Sequence, residues 1–337
     1  GSPKFQANPS VEVDPTELSI LEEMYNSLDG PNWKWSKDYL VDGFPWNFNV
    51  SADQPQSDPC RSHWQGLYCS AACTVGSCNI FYIGLTGYGL SGIMPSNMFN
   101  FTKLQFMYLS ENNLQGQIPA VAQLPALTLM NLSYNSLDGT IPSCLGKATN
   151  LNLLYLSNNR LVGSIPDTFT DLVHLQYLYL LNNQLTGSLP GNIGNLRDLS
   201  FLNLGVNHFR GTLPASISQL TKLEQLYLNN NSLSGPFPVS LPYSLSKISL
   251  ECNKLTGKVP QIFENYRNLS VLKINDNYLT GPPPICLSTL SQLEILQLHL
   301  NEFTGPIGPL FDPAVQVKLT NIDLSHNALS GQLPATI

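Results

Sequence analysis

The chain has 337 residues, a net charge of −7 and only 12% charged residues. That balance argues against nucleic acid and anionic membranes as main partners, since both call for clustered Lys and Arg. No apolar run is long enough to span a bilayer. The acidity is local: residues 1–79 hold ten acids and four bases, whereas residues 80–337 hold thirteen and twelve.

Residues 1–13 read as a disordered lead, and Gly1 and Ser2 look like an expression remnant, so a removed leader is the expectation. Residues 14–79 read as a cap. Within it, DPTELSILEEMYNSLDG (14–30) predicts a helix. Asp14 can cap it, Pro15 suits the first turn and Glu17 stands in the capping-box position. Leu18, Leu21, Tyr25 and Leu28 form an apolar stripe that is expected to cover the core of the next segment, and Gly30 can end the helix. Trp33, Trp35, Trp46 and Trp64 suit packing of the cap better than a sugar platform. Cys60, Cys69, Cys73 and Cys78 cluster here. Four cysteines allow three pairings, and their spacing is awkward for zinc.

From residue 80 to the end one phrase recurs: Leu-x-x-Leu-x-Leu-x-x-Asn-x-Leu-x-Gly-x-Ile-Pro. Its Asn slot falls at Asn112, Asn135, Asn159, Asn183, Asn207, Asn231, Asn253, Asn277, Asn301 and Asn327, with Tyr88 in that slot of the first copy. A fixed period near 24 residues means a stacked solenoid. Leu-x-Leu alternates inward and outward, as a short strand does. The slot Asn can donate and accept at once, which suits a ladder that satisfies buried turns. Gly permits the bend that follows it, and Pro punctuates the far side. No coil can bury its Leu face alone, so the coils must stack. Eleven of them would make a rod roughly 50 Å long. The chain stops partway through a coil at GQLPATI (331–337), so a longer parent protein is the expectation.

The phrase resembles the plant-type class of leucine-rich repeat proteins, which carry the Leu-x-Gly-x-Ile-Pro half, over about three quarters of the chain. The resemblance implies an α/β solenoid: a curved right-handed superhelix of about 11 repeats over residues 80–337, with a parallel concave sheet and an N-terminal helical disulfide cap. YNSLDGPNW (25–33) is similar to a cap found in leucine-rich repeat surface proteins of algae, water moulds and bacteria. DPCRSHWQGLYC (58–69) resembles the paired-cysteine element of plant-type caps, which implies Cys60–Cys69 and leaves Cys73–Cys78 to close a small loop. Cys144, Cys252 and Cys286 read as buried thiols. A disulfide-closed cap suits an oxidising compartment. The sequons at Asn49, Asn100, Asn131, Asn230 and Asn268 agree, which points to the secretory pathway and an extracellular or cell-surface location.

No chemistry-bearing motif survives inspection. GYGLSG (87–92) matches a dinucleotide fingerprint but fills the repeat's own slots, and SLSK (244–247) falls at the start of a strand. His299 and His326 lie on adjacent coils with Asp276 and Asp323 near, an arrangement read as solvated surface rather than a metal or pH site. No cofactor, metal site or enzymatic activity is expected.

Two strand columns point away from the core. Tyr108, Tyr155, Tyr177, Tyr179, Phe201 and Tyr227 crowd them within a few coils, and aromatic rings on a rigid surface suit recognition. Cross-strand packing is the plainer alternative, and a glycan on Asn131 would sit among the rings. The resemblance, rather than the spacing, implies the ligand-binding ectodomain of a receptor or receptor-like protein. A peptide, protein or wall glycan would be its ligand and a co-receptor a further partner, with neither nucleic acid nor membrane contacted by this fragment. A secreted inhibitor of a wall-degrading enzyme and an adhesive wall protein are the alternatives.

Overall fold

The computed structural model describes residues 12–48, 58–70, 77–120 and 124–332, without the side chains of Tyr39 and Leu40. The chain forms two compact units, Gly1–Leu161 and Val162–Ile337.

The first unit opens with the helix Pro15–Ser27. The Asp14 carboxylate takes the Thr16 N–H at 2.8 Å, as its capping role requires. The buried face is Ile20, Leu21 and Met24, continued by Leu28, whereas Leu18 and Tyr25 flank it half-exposed. Glu17 departs from the capping-box expectation. It is buried and accepts from Ile80 N at 2.6 Å and Asn79 Nδ2 at 3.1 Å. The Asp14 N–H that a capping box would need is already given to Cys78 O. Burial raises the Glu17 pKa, with the two hydrogen bonds opposing. The residue therefore ties the helix to the first coil instead of closing its own first turn.

The helix ends before Gly30. Asp29 takes the left-handed conformation (φ 62°), and Gly30 starts a short 3-10 turn, Gly30–Asn32. Glycine is required there because an added Cβ would lie 2.2 Å from the Tyr25 ring. Trp33, Trp46 and Trp64 are buried, and their indoles give N–H groups to Leu28 O (from Trp33) and Gln65 O (from Trp46). Trp33 and Trp46 rings lie 5.0 Å apart and Trp46 and Trp64 rings 5.9 Å apart, so these tryptophans are packing elements.

Cys60 and Cys69 form a disulfide. The Asp58 of the DPC element closes the same corner. Its carboxylate accepts from Cys60 N and Arg61 N, and from Val13 N of the two-residue strand Glu12–Val13 that precedes the helix. Cys78 is also disulfide-bonded, while Cys73 lies outside the described residues. Only Cys286 of the remaining thiols is buried. Cys144 and Cys252 are only half-buried, contrary to expectation: Cys144 lies in the 3-10 turn Ser143–Lys147, and Cys252 holds the left-handed position just before the Asn253 slot (φ 56°).

The repeat unfolds as its period dictates. In the first unit the strands Ile80–Gly84, Phe106–Tyr108, Leu129–Asn131 and Leu153–Tyr155 run parallel, with Leu67–Cys69 antiparallel on the edge. In the second unit seven parallel strands run from Tyr177–Tyr179 to Asn321–Asp323. The central residue of each strand from Ile83 to Leu296 is buried, and the inner Leu and Ile of the following turn join it. Short strands such as Ser232–Pro236 and Lys254–Lys258 build further parallel pairs across the coil, and 3-10 turns such as Ala215–Gln219 return the chain.

The slot asparagines form the predicted ladder. Asn207 Nδ2 donates to Leu180 O of the preceding coil at 2.9 Å and to Leu204 O and Gly205 O of its own, while its Oδ1 accepts from Leu185 N. The same pattern recurs at Asn231, Asn253, Asn277 and Asn301. The residue before each slot is left-handed, including Val206 (φ 53°) and Leu300 (φ 52°). The repeat glycine is left-handed too, as at Gly235 (φ 81°), whose Cβ would meet Thr212 Cγ2 at 2.6 Å.

Candidate ligand-recognition face

Residues on either side of each buried strand centre point outward, and in the second unit four predicted rings come together there. Tyr177, Tyr179, Phe201 and Tyr227 are all half-buried. Tyr179 and Phe201 stack at 4.3 Å with planes 18° apart, Tyr177 lies parallel to Tyr179 at 6.5 Å, and Tyr227 reaches Phe201 at 5.5 Å. The register explains the contact: Tyr177 pairs with Phe201 and Tyr179 with Asn203, so Phe201 turns into the space that the smaller Asn203 leaves. The Tyr227 hydroxyl donates to Gln225 Oε1 at 2.9 Å, which fixes that ring. Burial, then the Glu251 carboxylate, raises the Tyr227 pKa, so the phenol stays neutral at physiological pH.

In the first unit the predicted rings do not join one another. Tyr108 packs with Tyr82 at 5.5 Å, and Tyr82 with Tyr68 at 5.0 Å, in a cluster nearer the cap. Tyr155 is a full strand away, since Asn131 stands between Tyr108 and Tyr155 in the register.

Asn131 is half-buried in its strand, and its Oδ1 accepts the Ser133 N–H at 3.0 Å. Asn100, Asn230 and Asn268 are exposed, and Asn49 lies outside the described residues. His299 is not free surface. Its Nε2 is 3.1 Å from Asn275 Nδ2, and its Nδ1 lies 3.1 Å from Asp323 Oδ2 without an aligned hydrogen bond. Among the described residues no three or more of His, Cys, Asp and Glu come together in a group that could hold a metal ion. No helix among them is long and apolar enough to cross a membrane. GYGLSG runs into the strand Ser91–Ile93 and SLSK into Lys247–Ser249, so neither precedes a helix.

The second unit also holds a polar groove of about 730 Å³, unforeseen in the sequence and lined by none of the four rings. Gln176, Ser200, Glu224 and Ser246 line it from the slot just before the strands, and Asp198, Lys222, Ser244 and Asn268 from two residues earlier. Lys222 Nζ bonds Asp198 Oδ1 at 2.7 Å and His174 Nδ1 lies 3.3 Å from Asp198 Oδ2, so Lys222 first and His174 second hold the Asp198 pKa below its usual value. The signal available in the sequence was the row His174, Asp198, Lys222, three ionisable residues in one slot of successive coils.

Comparison with known proteins agrees with this architecture. Two sequence families match, both described as leucine rich repeat, one at residues 125–185, 149–209 and 244–303 and the other at 222–243 and 318–337. The chain belongs to the leucine-rich repeat proteins and is related to the ectodomains of plant leucine-rich repeat receptor kinases and receptor-like proteins. Over 97 residues, 28% of this chain and 11% of the relative, it is 36% identical to Protein STRUBBELIG-RECEPTOR FAMILY 3 of Arabidopsis thaliana. The crystal structure of a TDR receptor matches with TM-score 0.72 and 31% identity, covering 75% of this chain and 44% of that one. The leucine-rich repeat ectodomain of the Arabidopsis receptor kinase HAESA, solved with a peptide hormone ligand, matches with TM-score 0.62 and 28% identity over 73% of this chain and 45% of that one. The chain thus spans less than half of each of these proteins.

Proposed function

We propose that this chain is a non-enzymatic recognition domain that acts outside the cell as the ectodomain, or part of one, of a receptor or receptor-like protein. Residues 14–79 cap it and residues 80–337 supply the repeat surface. The carrying observation is the stacked set Tyr177, Tyr179, Phe201 and Tyr227, held outward on strands whose centres alone are buried. Such a patch offers apolar area at little entropic cost together with polar tips, which is what a binding centre uses. The HAESA ectodomain, solved with a peptide hormone, supports a peptide as the ligand; a protein or glycan ligand and a co-receptor are further parts of the proposal.

The test is a surface-plasmon panel of secreted peptides and wall oligosaccharides against the wild type and a Tyr179→Ala/Phe201→Ala variant. A binder whose affinity falls at least tenfold in the variant, while the variant stays folded with only a small drop in melting temperature, supports the reading. Binders indifferent to both rings overturn it.

A further inference from the structure

We infer that the first unit carries a second binding site. It is a cup of tyrosines, Tyr68, Tyr82, Tyr88 and Tyr108, where the cap meets the first coils, and it seats the guanidinium of an arginine in a basic peptide. This site is independent of the face in the second unit.

Gly84 sets the shape. Its backbone is not left-handed, so no turn requires a glycine there. What it leaves is room: a Cβ on Gly84 would lie 2.5 Å from both Cε1 and the hydroxyl oxygen of Tyr82. The Tyr82 ring thus lies across the place of the missing side chain. In the next strand Phe106 pairs with Tyr82 and Tyr108 with Gly84. By leaning over Gly84, the Tyr82 ring comes within 5.5 Å of Tyr108, nearer than the 6.4 Å to its own partner Phe106. On the other side Tyr68, its partner in the antiparallel edge strand, stands at 5.0 Å with the planes 70° apart. Tyr88 joins them from the first coil's Asn slot, edge-on to Trp35 at 5.7 Å. Burial first, then the phenols of Tyr108, Tyr68 and Tyr88, raise the Tyr82 pKa; burial, then the Asp42 carboxylate and Tyr68, raise that of Tyr88. The phenols therefore converge and stay neutral at physiological pH. All four are only half-buried, so each keeps part of its surface in solvent.

Cross-strand packing accounts for Tyr68 on Tyr82, but not for the charge beside them. Asp42 ends the short helix Tyr39–Asp42 and accepts from Ser36 Oγ, and among the described residues it has no basic partner. The Lys34 stem lies over Gly89 instead, its carbons 3.4–3.6 Å from where a Cβ would sit. Electron-rich ring faces next to an unpaired carboxylate favour a cation. The cap around them, with ten acids against four bases in residues 1–79, attracts one over a longer range. An anion would meet Asp42, and a purely apolar ligand would shut that carboxylate away from water without a partner. A guanidinium matches both parts, because its plane stacks on an aromatic face and its N–H fork bonds a carboxylate.

Calorimetry of the whole chain with the blocked peptide Gly-Gly-Arg-Gly-Gly tests this. Its controls carry lysine, or citrulline, which keeps the shape of arginine without the charge. We expect saturable binding of the arginine peptide and at least about tenfold weaker binding of the citrulline peptide. Asp42→Asn, Tyr82→Leu and Tyr108→Leu should each weaken the arginine peptide about threefold or more, whereas Tyr82→Phe, which keeps the ring, should bind like the wild type. Equal binding of the citrulline peptide overturns the cation, and equal or tighter binding of the lysine peptide overturns the guanidinium. Binding that falls in Asp42→Asn but survives both leucine variants reduces to attraction by the acidic cap and overturns the cup. Loss in a folded Tyr82→Phe assigns the contact to the hydroxyl and overturns the ring face. Should Tyr82→Leu fail to fold by circular dichroism, Tyr108→Leu decides. Failure of the arginine peptide to saturate overturns the site, and leaves the face in the second unit untouched.

Discussion

Phe201 lies on Tyr179 at 4.3 Å with the ring planes 18° apart, across a strand pair whose register sets Tyr179 opposite Asn203. The rings therefore support one another above the sheet, outside the core. Ring stacking beyond area burial is worth about 0.5–1.5 kcal/mol, whereas truncating a buried leucine costs about 2–5 kcal/mol. Phe201→Ala should accordingly lower stability much less than Leu202→Ala one residue on, where the side chain is fully buried. Urea denaturation of the two variants measures the difference, and equal losses would make Phe201 a core residue.

Asn207 should be expensive to remove. Its amide serves three carbonyls and one N–H, spanning two coils. Leaving buried polar groups unpaired costs about 1–3 kcal/mol, so Asn207→Ala should lose at least that much. Asn230→Gly, at an exposed turn position whose φ of 54° glycine accepts, should stay within about 0.5 kcal/mol. The same denaturation series checks both.

Val206 holds φ 53° immediately before Asn207. A β-branched residue is poorly suited to that region, and Asn tolerates it. Val206→Asn should raise stability by about 0.5–1 kcal/mol, because Val206 is exposed and little packing is lost. A lower melting temperature would contradict the strain argument.

The Asp198 pKa is held down, chiefly by Lys222 and then by His174. A depressed acid contributes stability that is present above its unfolded pKa of about 3.9 and is lost as pH falls through the folded value. Exposure keeps the effect small. Lys222→Ala should move the Asp198 carboxyl upward in an NMR titration, and more than His174→Ala does.

The sequons should divide by geometry. In a secretory host, glycopeptide mass spectrometry should find Asn100, Asn230 and Asn268 occupied and Asn131 bare, since the Asn131 amide is half-buried and bonded to Ser133 N. Full occupancy of Asn131 would place a glycan between Tyr108 and Tyr155 and contradict the assignment.

The repeat was legible because its period repeats one physical problem on every coil. Leu202 and Asn207 announce their burial and their ladder by position alone. The cap was less legible. Glu17 occupies a capping-box slot, yet the competing donors Ile80 N and Asn79 Nδ2 lie more than sixty residues away, beyond any local rule. The rings of Tyr177 and Phe201 were visible as an outward column, but their union with Tyr227, and the separation of Tyr108 from Tyr155, depend on which residue each register leaves between them. The groove stayed hidden because it joins different slots of successive coils: Asp198 and Lys222 share one slot, but the gap also needs Ser244 and Ser246, which announce nothing by themselves.

The most direct measurement is hydroxyl-radical footprinting of the aromatic residues with and without a ligand drawn from the binding panel. The account predicts protection of Tyr177, Tyr179, Phe201 and Tyr227 with little change at Tyr243 and Tyr278. Protection confined to Tyr243 and Tyr278, with the four stacked rings unchanged, would contradict it.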